Sequence, residues 1–289
     1  MATAEMADYK VSETAGGPTV RHRRLSAELK RLREAADLTP QEAADLLGWS
    51  RPKLVRIENS GGVPSVEDVH RILDSYGGID QALRLALAQL TQDVRLRGWW
   101  SAYGDVVGGS YAQCEDVATE IRSFETSFIP GLLQTAAYAR AIMQGDEPDL
   151  VERRVQARMT RQALLTRPNA PKLSVVLDES ALRLPIGDME VLREQLEALL
   201  TASRRSNISI RVLDETAGLH PGRTGGSFVI FGFESAIEPD VVYLETLAGG
   251  LYLEEIAQVR RCNVLYEGIV SAALPEDQSA ALIAAIIKE

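Results

Sequence analysis

The chain has 289 residues, 45% of them hydrophobic and 25% charged, enough for one large or two ordinary globular domains. That balance excludes extended disorder beyond the ends, and the longest apolar runs, such as residues 282–287, are far too short to span a bilayer. The net charge of −10 lies wholly in residues 99–289, with 17 Lys/Arg against 27 Asp/Glu, whereas residues 21–60 are basic, with nine against six. No basic-then-apolar leader opens the sequence, so a cytoplasmic protein is expected, with no membrane partner. In a reducing compartment Cys114 and Cys262 are expected to be buried free thiols.

Residues 1–20 lack a hydrophobic period and end in Gly16-Gly17-Pro18, which predicts a flexible tail. From Arg21 the pattern turns helical, with Leu25, Leu29, Leu32 and Ala36 on one face. Thr39-Pro40-Gln41-Glu42 announces a second short helix: Thr39 suits the N-cap, Pro40 the first turn and Glu42 the capping box. Gly48 ends it, and Ser50 caps a third helix running to about Glu58. After Asn59-Ser60-Gly61-Gly62, Ser65 caps a fourth helix with Val66, Val69, Ile72, Leu73 and Tyr76 on one side. A connecting helix over residues 79–98 follows, with Leu83, Leu87, Leu90 and Val94 in a stripe. That stripe fits either a helix packed on its own domain or a dimer seam.

Beyond Gly98-Trp99-Trp100 the pattern predicts helices at about 115–127, 132–144 and 149–166, a strand at 173–177 and a helix from Asp188. Ile208, Ile210 and Val212 alternate as in a strand. Further strands are expected at 227–233, 241–246 and 250–253, the last two joined through Gly249-Gly250, and helices at 254–270 and 276–287. The fold class is an all-α helix-turn-helix domain over 21–78 followed by an α+β domain over 99–289.

The first part carries a recognisable constellation. A helix-turn-helix needs small apolar residues where two helices touch, a glycine at the turn and polar or basic residues on the outer face of the second helix. Ala43, Ala44, Leu47, Leu54 and Ile57 supply the inner face, Gly48 the turn, and Arg51, Lys53 and Arg56 the outer side. Arg21, His22, Arg23 and Arg24 flank the unit, either reaching phosphates or forming a plain solvated run.

Residues 38–44 and 48–59 together resemble the Xre family of lambda-repressor-like helix-turn-helix regulators. The resemblance implies a partly buried salt bridge between Arg33 and Glu58. It also implies that Arg51, Pro52 and Arg56 face base edges, with Lys53 and Asn59 nearer phosphates. Ser50 belongs to the same DNA-facing set. Pro40 stands where such proteins often carry a phosphate-clamping glutamine, and Gln41 or the first-turn amides are the expected substitutes. An arginine suits guanine because O6 and N7 accept a bidentate pair. The expected partners are a double-stranded operator and, because one helix reads few base pairs, a second copy of the chain.

Gly98-Trp99-Trp100 and the run from Ile129-Pro130-Gly131-Leu132-Leu133-Gln134 to Arg140 resemble the C-terminal domain of unknown function in WhiJ-like actinomycete regulators. That likeness implies an antitoxin-like repressor that works with a small acidic partner protein. Residues 149–166 carry a basic stripe, Arg153, Arg154, Arg158 and Arg161, which is either solvated or a docking surface for that partner. A regulator sensing a small molecule is one alternative, and an interaction protein whose helix-turn-helix has lost DNA binding is another. An enzyme is not expected. His22, His70 and His220 are scattered, with no nucleophile elbow, metal-ligand spacing or Gly-rich phosphate loop, so no catalytic residue, metal or cofactor is assigned. His220-Pro221-Gly222-Arg223 is read as an exposed turn or, failing that, a ligand-lining loop.

Overall fold

The structure, a computed structural model, describes residues 18–95, 98–107, 109–143, 147–223, 225–234, 239–246 and 249–289. Residues 1–17 of the expected tail lie outside the described residues. Residues 18–20 do not continue a tail, because Val20 already begins the first helix and is 1% exposed.

Five helices build the N-terminal unit: α1 (Val20–Ala35), α2 (Pro40–Leu47), α3 (Arg51–Glu58), α4 (Val66–Tyr76) and α5 (Gln81–Arg95). Their ends are set by short-range chemistry. Thr39 and Glu42 form a reciprocal capping box at α2, and Ser65 and Asp68 do the same at α4. Gly48 closes α2 at φ 67°, a conformation that strains any residue with a Cβ. Ser50 caps α3 by accepting from the Lys53 amide. Leu25, Leu29, Leu54, Ile57, Ile72 and Leu73 meet in one core. Leu87 and Leu90 of α5 are buried in that same core, with Leu83 and Val94 packed against it. The α5 stripe is therefore consumed within its own domain, which removes the dimer-seam alternative for it.

A 3-10 turn (Trp99–Tyr103) and α6 (Gly109–Val117) lead into the second unit. Its centre is a six-stranded mixed sheet of β1 (Glu120–Glu125), β2 (Lys172–Asp178), β3 (Ile208–Leu213), β4 (Phe228–Gly232), β5 (Val241–Thr246) and β6 (Gly249–Leu253). The order is β3-β2-β1-β4-β5-β6. The pairs β1–β2 and β2–β3 are parallel, and the other three are antiparallel. The helices are α7 (Ala136–Ile142), α8 (Pro148–Arg161), α9 (Glu179–Arg183), α10 (Met189–Ala202), α11 (Ile256–Ala272) and α12 (Glu276–Ile286). Ile121, Val175, Leu177 and Ile210 bury one sheet face with Leu196 and Leu199 of α10 and Ile283 of α12. Phe124, Val176, Phe228 and Ile230 bury the other with Val259, Tyr266 and Ile269 of α11. The second unit is thus α+β, with both faces of its sheet covered.

The largest departure from the sequence reading is β1. A helix is expected over 115–127, yet α6 ends at Val117 and the chain becomes a strand paired on both edges. Ile121 and Phe124 bury opposite faces of the sheet, so this stretch shows neither an amphipathic helix nor a clean alternation. The helix expected over 132–144 is shorter, with Gly131–Leu133 a 3-10 turn and α7 ending at Ile142. Gly249-Gly250 begins β6 rather than joining two strands, and residues 247–248 lie outside the described residues. Cys114 is buried as expected, but Cys262 is only half-buried.

The basic run at the start of α1 neither reaches into solvent nor stays free for phosphates. Arg21 pairs with Asp93 at 3.0 Å and Arg23 with Glu254 at 2.8 Å, while Arg24 lies 3.8 Å from Glu254 and over the Phe233 ring. The Val20 amide donates to the Ser110 hydroxyl, and the Val20 side chain enters the core of the second unit. The first turn of α1 therefore docks the N-terminal unit onto the acidic one. No single helix among the described residues is long and apolar enough to cross a membrane.

Candidate nucleic-acid interface and an arginine-lined cavity

The Arg33–Glu58 pair holds α1 to α3. Arg33 Nε and Nη2 donate to the two Glu58 carboxylate oxygens at 2.8 and 3.1 Å, and Nη1 donates to the Leu38 carbonyl at 2.7 Å. Both side chains are about 5% exposed, so the charges are satisfied internally and stay off the surface. With α3 fixed in this way, its outer side is set by helical geometry. Arg51, Pro52, Arg56 and Asn59 are all exposed, while Leu54 and Ile57 point into the core.

Lys53 lies at the edge of that face, about 60° around the helix from Arg56 at 100° per residue. There its ammonium donates to Asp68 at 2.9 Å and sits 3.7 Å from the centre of the Trp49 ring. Of the expected trio, Arg51 and Arg56 are exposed, while the partly exposed Lys53 ties α3 to the cap of α4. Gln41 and Ser50 are exposed, but Gln41 donates to Asp45 at 2.9 Å, so a phosphate would have to compete with that carboxylate. Arg56 lies along the Gly61-Gly62 loop: a Cβ at Gly61 would fall 2.9 Å from its Cγ. Glycine here lets the arginine lie flat while leaving its outer side open.

The expected basic stripe of α8 is not a surface. Arg153 is the outward member. It donates to the Ala102 carbonyl at 2.5 Å, pairs with Asp105 at 3.3 Å and stacks over Tyr103 at 4.7 Å. These contacts strap the segment after α5 across α8. Arg154, Arg158 and Arg161, at i, i+4 and i+7, line a cavity of 680 Å³ between α8, the sheet and that strap. Periodicity marks the stripe on one face of the helix but not what lies opposite that face.

Trp99, Val107, Tyr111, Phe128, Tyr243 and Tyr252 give the cavity an aromatic and apolar wall. Arg161 is answered by Glu115 at 2.7 Å and lies over the Tyr111 ring. Arg158 instead donates to the neutral Gln134 Oε1 at 2.6 Å. Burial and the neighbouring Arg161 hold its guanidinium below the ordinary value, at about 10. Burial also pushes the Glu125 carboxyl up to about 7, although Ser123 donates to it at 2.8 Å. Burial raises Glu115 to about 7 as well, against the pull of Arg161. The Ile129–Gln134 loop closes one side of the cavity. Gln134 donates to the Ile129 carbonyl at 2.6 Å, and a Cβ at Gly131 would fall 2.7 Å from Arg161 Nη2.

The loop at His220 is neither a plain exposed turn nor part of this cavity. His220 is 5% exposed and meets Phe124 edge-on, while Pro221 and Arg223 face outward. No cluster of His, Cys, Asp and Glu among the described residues is arranged to hold a metal.

Residues 24–87 match the profile of a helix-turn-helix domain, and residues 109–285 match that of a domain of unknown function, DUF5753. No curated protein and no solved structure matches the chain.

Proposed function

Because the chain belongs to the DUF5753 family and carries a helix-turn-helix domain ahead of that module, we propose that it is a sequence-specific, DNA-binding transcriptional regulator. The observation that carries this reading is the exposed face of α3, where Arg51, Pro52, Arg56 and Asn59 stand on a helix braced by α2 and by the Arg33–Glu58 pair. Arg51 and Arg56 read guanine edges in the major groove of a double-stranded operator, and Pro52 offers only apolar contact. Asn59 and the caps of α2 and α3 lie toward the phosphates. Screening confines each domain's field to its own neighbourhood, so the acidic second unit does not cancel the attraction of the α3 arginines to DNA.

In finer detail, the protein acts in the cytoplasm as an Xre-type, WhiJ-like repressor, binds as a homodimer to half-sites one helical turn apart, and has no enzymatic role. A small acidic partner protein controls it in the antitoxin-like manner. That arm rests on the resemblance of the second unit alone, because the α8 arginines offered as its docking surface line a cavity. The cavity favours a second reading, in which a small molecule is the effector.

An electrophoretic shift of the promoter beside the coding sequence tests the first reading. Arg51→Ala and Arg56→Ala should each weaken specific binding by about 1–3 kcal/mol, roughly five- to 150-fold, with the melting temperature unchanged because both side chains are exposed. Undiminished binding by the double variant would end the DNA-binding reading. Sedimentation of the complex should give two chains per operator.

A further inference from the structure

We propose that the cavity beneath the 98–107 strap binds a small organic anion, a carboxylate or phosphate on an aromatic or apolar body, with Arg158 as the anchor of its charge. Three observations carry this. The cavity, at 680 Å³, lies within the range used by small-molecule sites, and its walls combine Trp99, Tyr111, Phe128 and Tyr252 with a few convergent polar groups. Phe128 is 44% exposed there, an aromatic ring presented to an open space.

The second observation is the charge pattern. Three guanidinium groups of one helix face converge on the cavity. Glu115 neutralises Arg161, whereas Arg158 donates to the neutral side-chain oxygen of Gln134. A partly buried cation beside a second cation is costly, and the arrangement persists where an anion relieves it. The planar fork of arginine matches the paired oxygens of a carboxylate or phosphate. The depressed proton affinity of Arg158 agrees with an unrelieved positive site.

The third observation is that the site is built. Gln134, which orients Arg158, is itself fixed by the Ile129 carbonyl and by Gln162, whose amide donates to the Gln134 carbonyl at 2.6 Å. Gly131 lets the loop pass directly over Arg161. These contacts place the donors of the site before any ligand arrives.

The site also adjoins the DNA-binding unit. Tyr111 lines the cavity, and its neighbour Ser110 accepts from the first amide of α1. This regulatory consequence rests on the small-molecule reading above, whereas the site itself does not.

Thermal unfolding and calorimetry of the full chain, without DNA, test the site with three matched probes: indole-3-butyrate, indoxyl phosphate and the neutral indole-3-butyramide. An anion at about ten times its Kd should raise the melting temperature by roughly 2–4 °C, and the amide should not. A shift with one anion only assigns that head group, and a shift with both assigns the shared chemistry. No shift with either at millimolar concentration, or equal binding of the amide, overturns the proposal. Arg158→Met should remove the shift while leaving the unliganded melting temperature equal or higher, because among the described residues the one nearby carboxylate, Glu115, is paired directly with Arg161 and not with Arg158. A lower melting temperature with undiminished binding would make Arg158 structural and overturn its role. If the anions bind but leave operator affinity unchanged, the small-molecule reading fails and the site stands.

Discussion

Glu125 shows how one residue's surroundings reset its chemistry. It ends β1 in the wall of the cavity, where burial disfavours the carboxylate and moves the carboxyl to about 7. A carboxyl whose folded value lies above its unfolded one binds more protons in the folded state. Its contribution is fully present below the ordinary carboxylate value of about 4.5 and is lost as pH rises through about 7. Between pH 5 and pH 8 the protein should therefore lose stability, by roughly 3 kcal/mol from this group. Urea unfolding of wild type and Glu125→Gln at the two pH values separates this from carboxylates with the opposite slope, such as Asp68, which Lys53 and the Ser65 amide pull down. The two proteins should differ in their pH dependence, and parallel curves would show that Glu125 is ionised throughout. Nothing at the residue level of the sequence distinguishes Glu125 from the solvated acids around it, since its shift arises from the elements that enclose it.

Among the elements, the helix-turn-helix depends on the join between α1 and α3. Arg33 lies 25 positions before Glu58, and the pair fixes the outward rotation of Arg51 and Arg56. Arg33→Ala should destabilise the N-terminal unit by about 3–5 kcal/mol, because it strands a buried carboxylate. Replacing both partners with methionine should cost much less. Denaturant unfolding of both variants, followed by the fluorescence of Trp49, checks this: a loss below about 1 kcal/mol for Arg33→Ala would mean the pair is solvated. The caps of α2, α3 and α4 were legible from neighbouring residues alone, because Thr39–Glu42, Ser50–Lys53 and Ser65–Asp68 act across three positions. The strand β1 was not. Its identity comes from pairing with Lys172–Leu177 on one side and Phe228–Gly232 on the other, partners that lie some fifty and a hundred residues away.

Across the whole molecule, the uneven charge has a structural use. The basic start of α1 meets Glu254 and the Asp240 carbonyl of the acidic unit, with Val20 as the apolar plug between them. Arg23 and Arg24, which looked available to DNA in the sequence, instead join the two halves. Arg23→Glu together with Arg24→Glu sets like charges against Glu254. Small-angle scattering should then give a larger radius of gyration, while the second unit melts as before. An unchanged radius would mean that Val20 and Ser110 alone hold the halves together. The same join brings the cavity next to the first unit, since α6 carries both Tyr111 and Ser110.

The sequence by itself determined the features that depend on nearby residues: the capped α2 and α3, the glycine turn at 48, the inner faces of the helices, and the division into a charge-balanced front with a basic stretch at 21–60 and an acidic remainder. Only the tertiary structure decided what those faces meet. It turned the α8 arginines into a cavity, spent the α5 leucines on the first core, took Lys53 and the α1 arginines into ion pairs, and made residues 120–125 a central strand. The reason is physical. Caps and periodicity are settled within a turn or two of backbone, whereas burial and pairing depend on which distant segment arrives opposite.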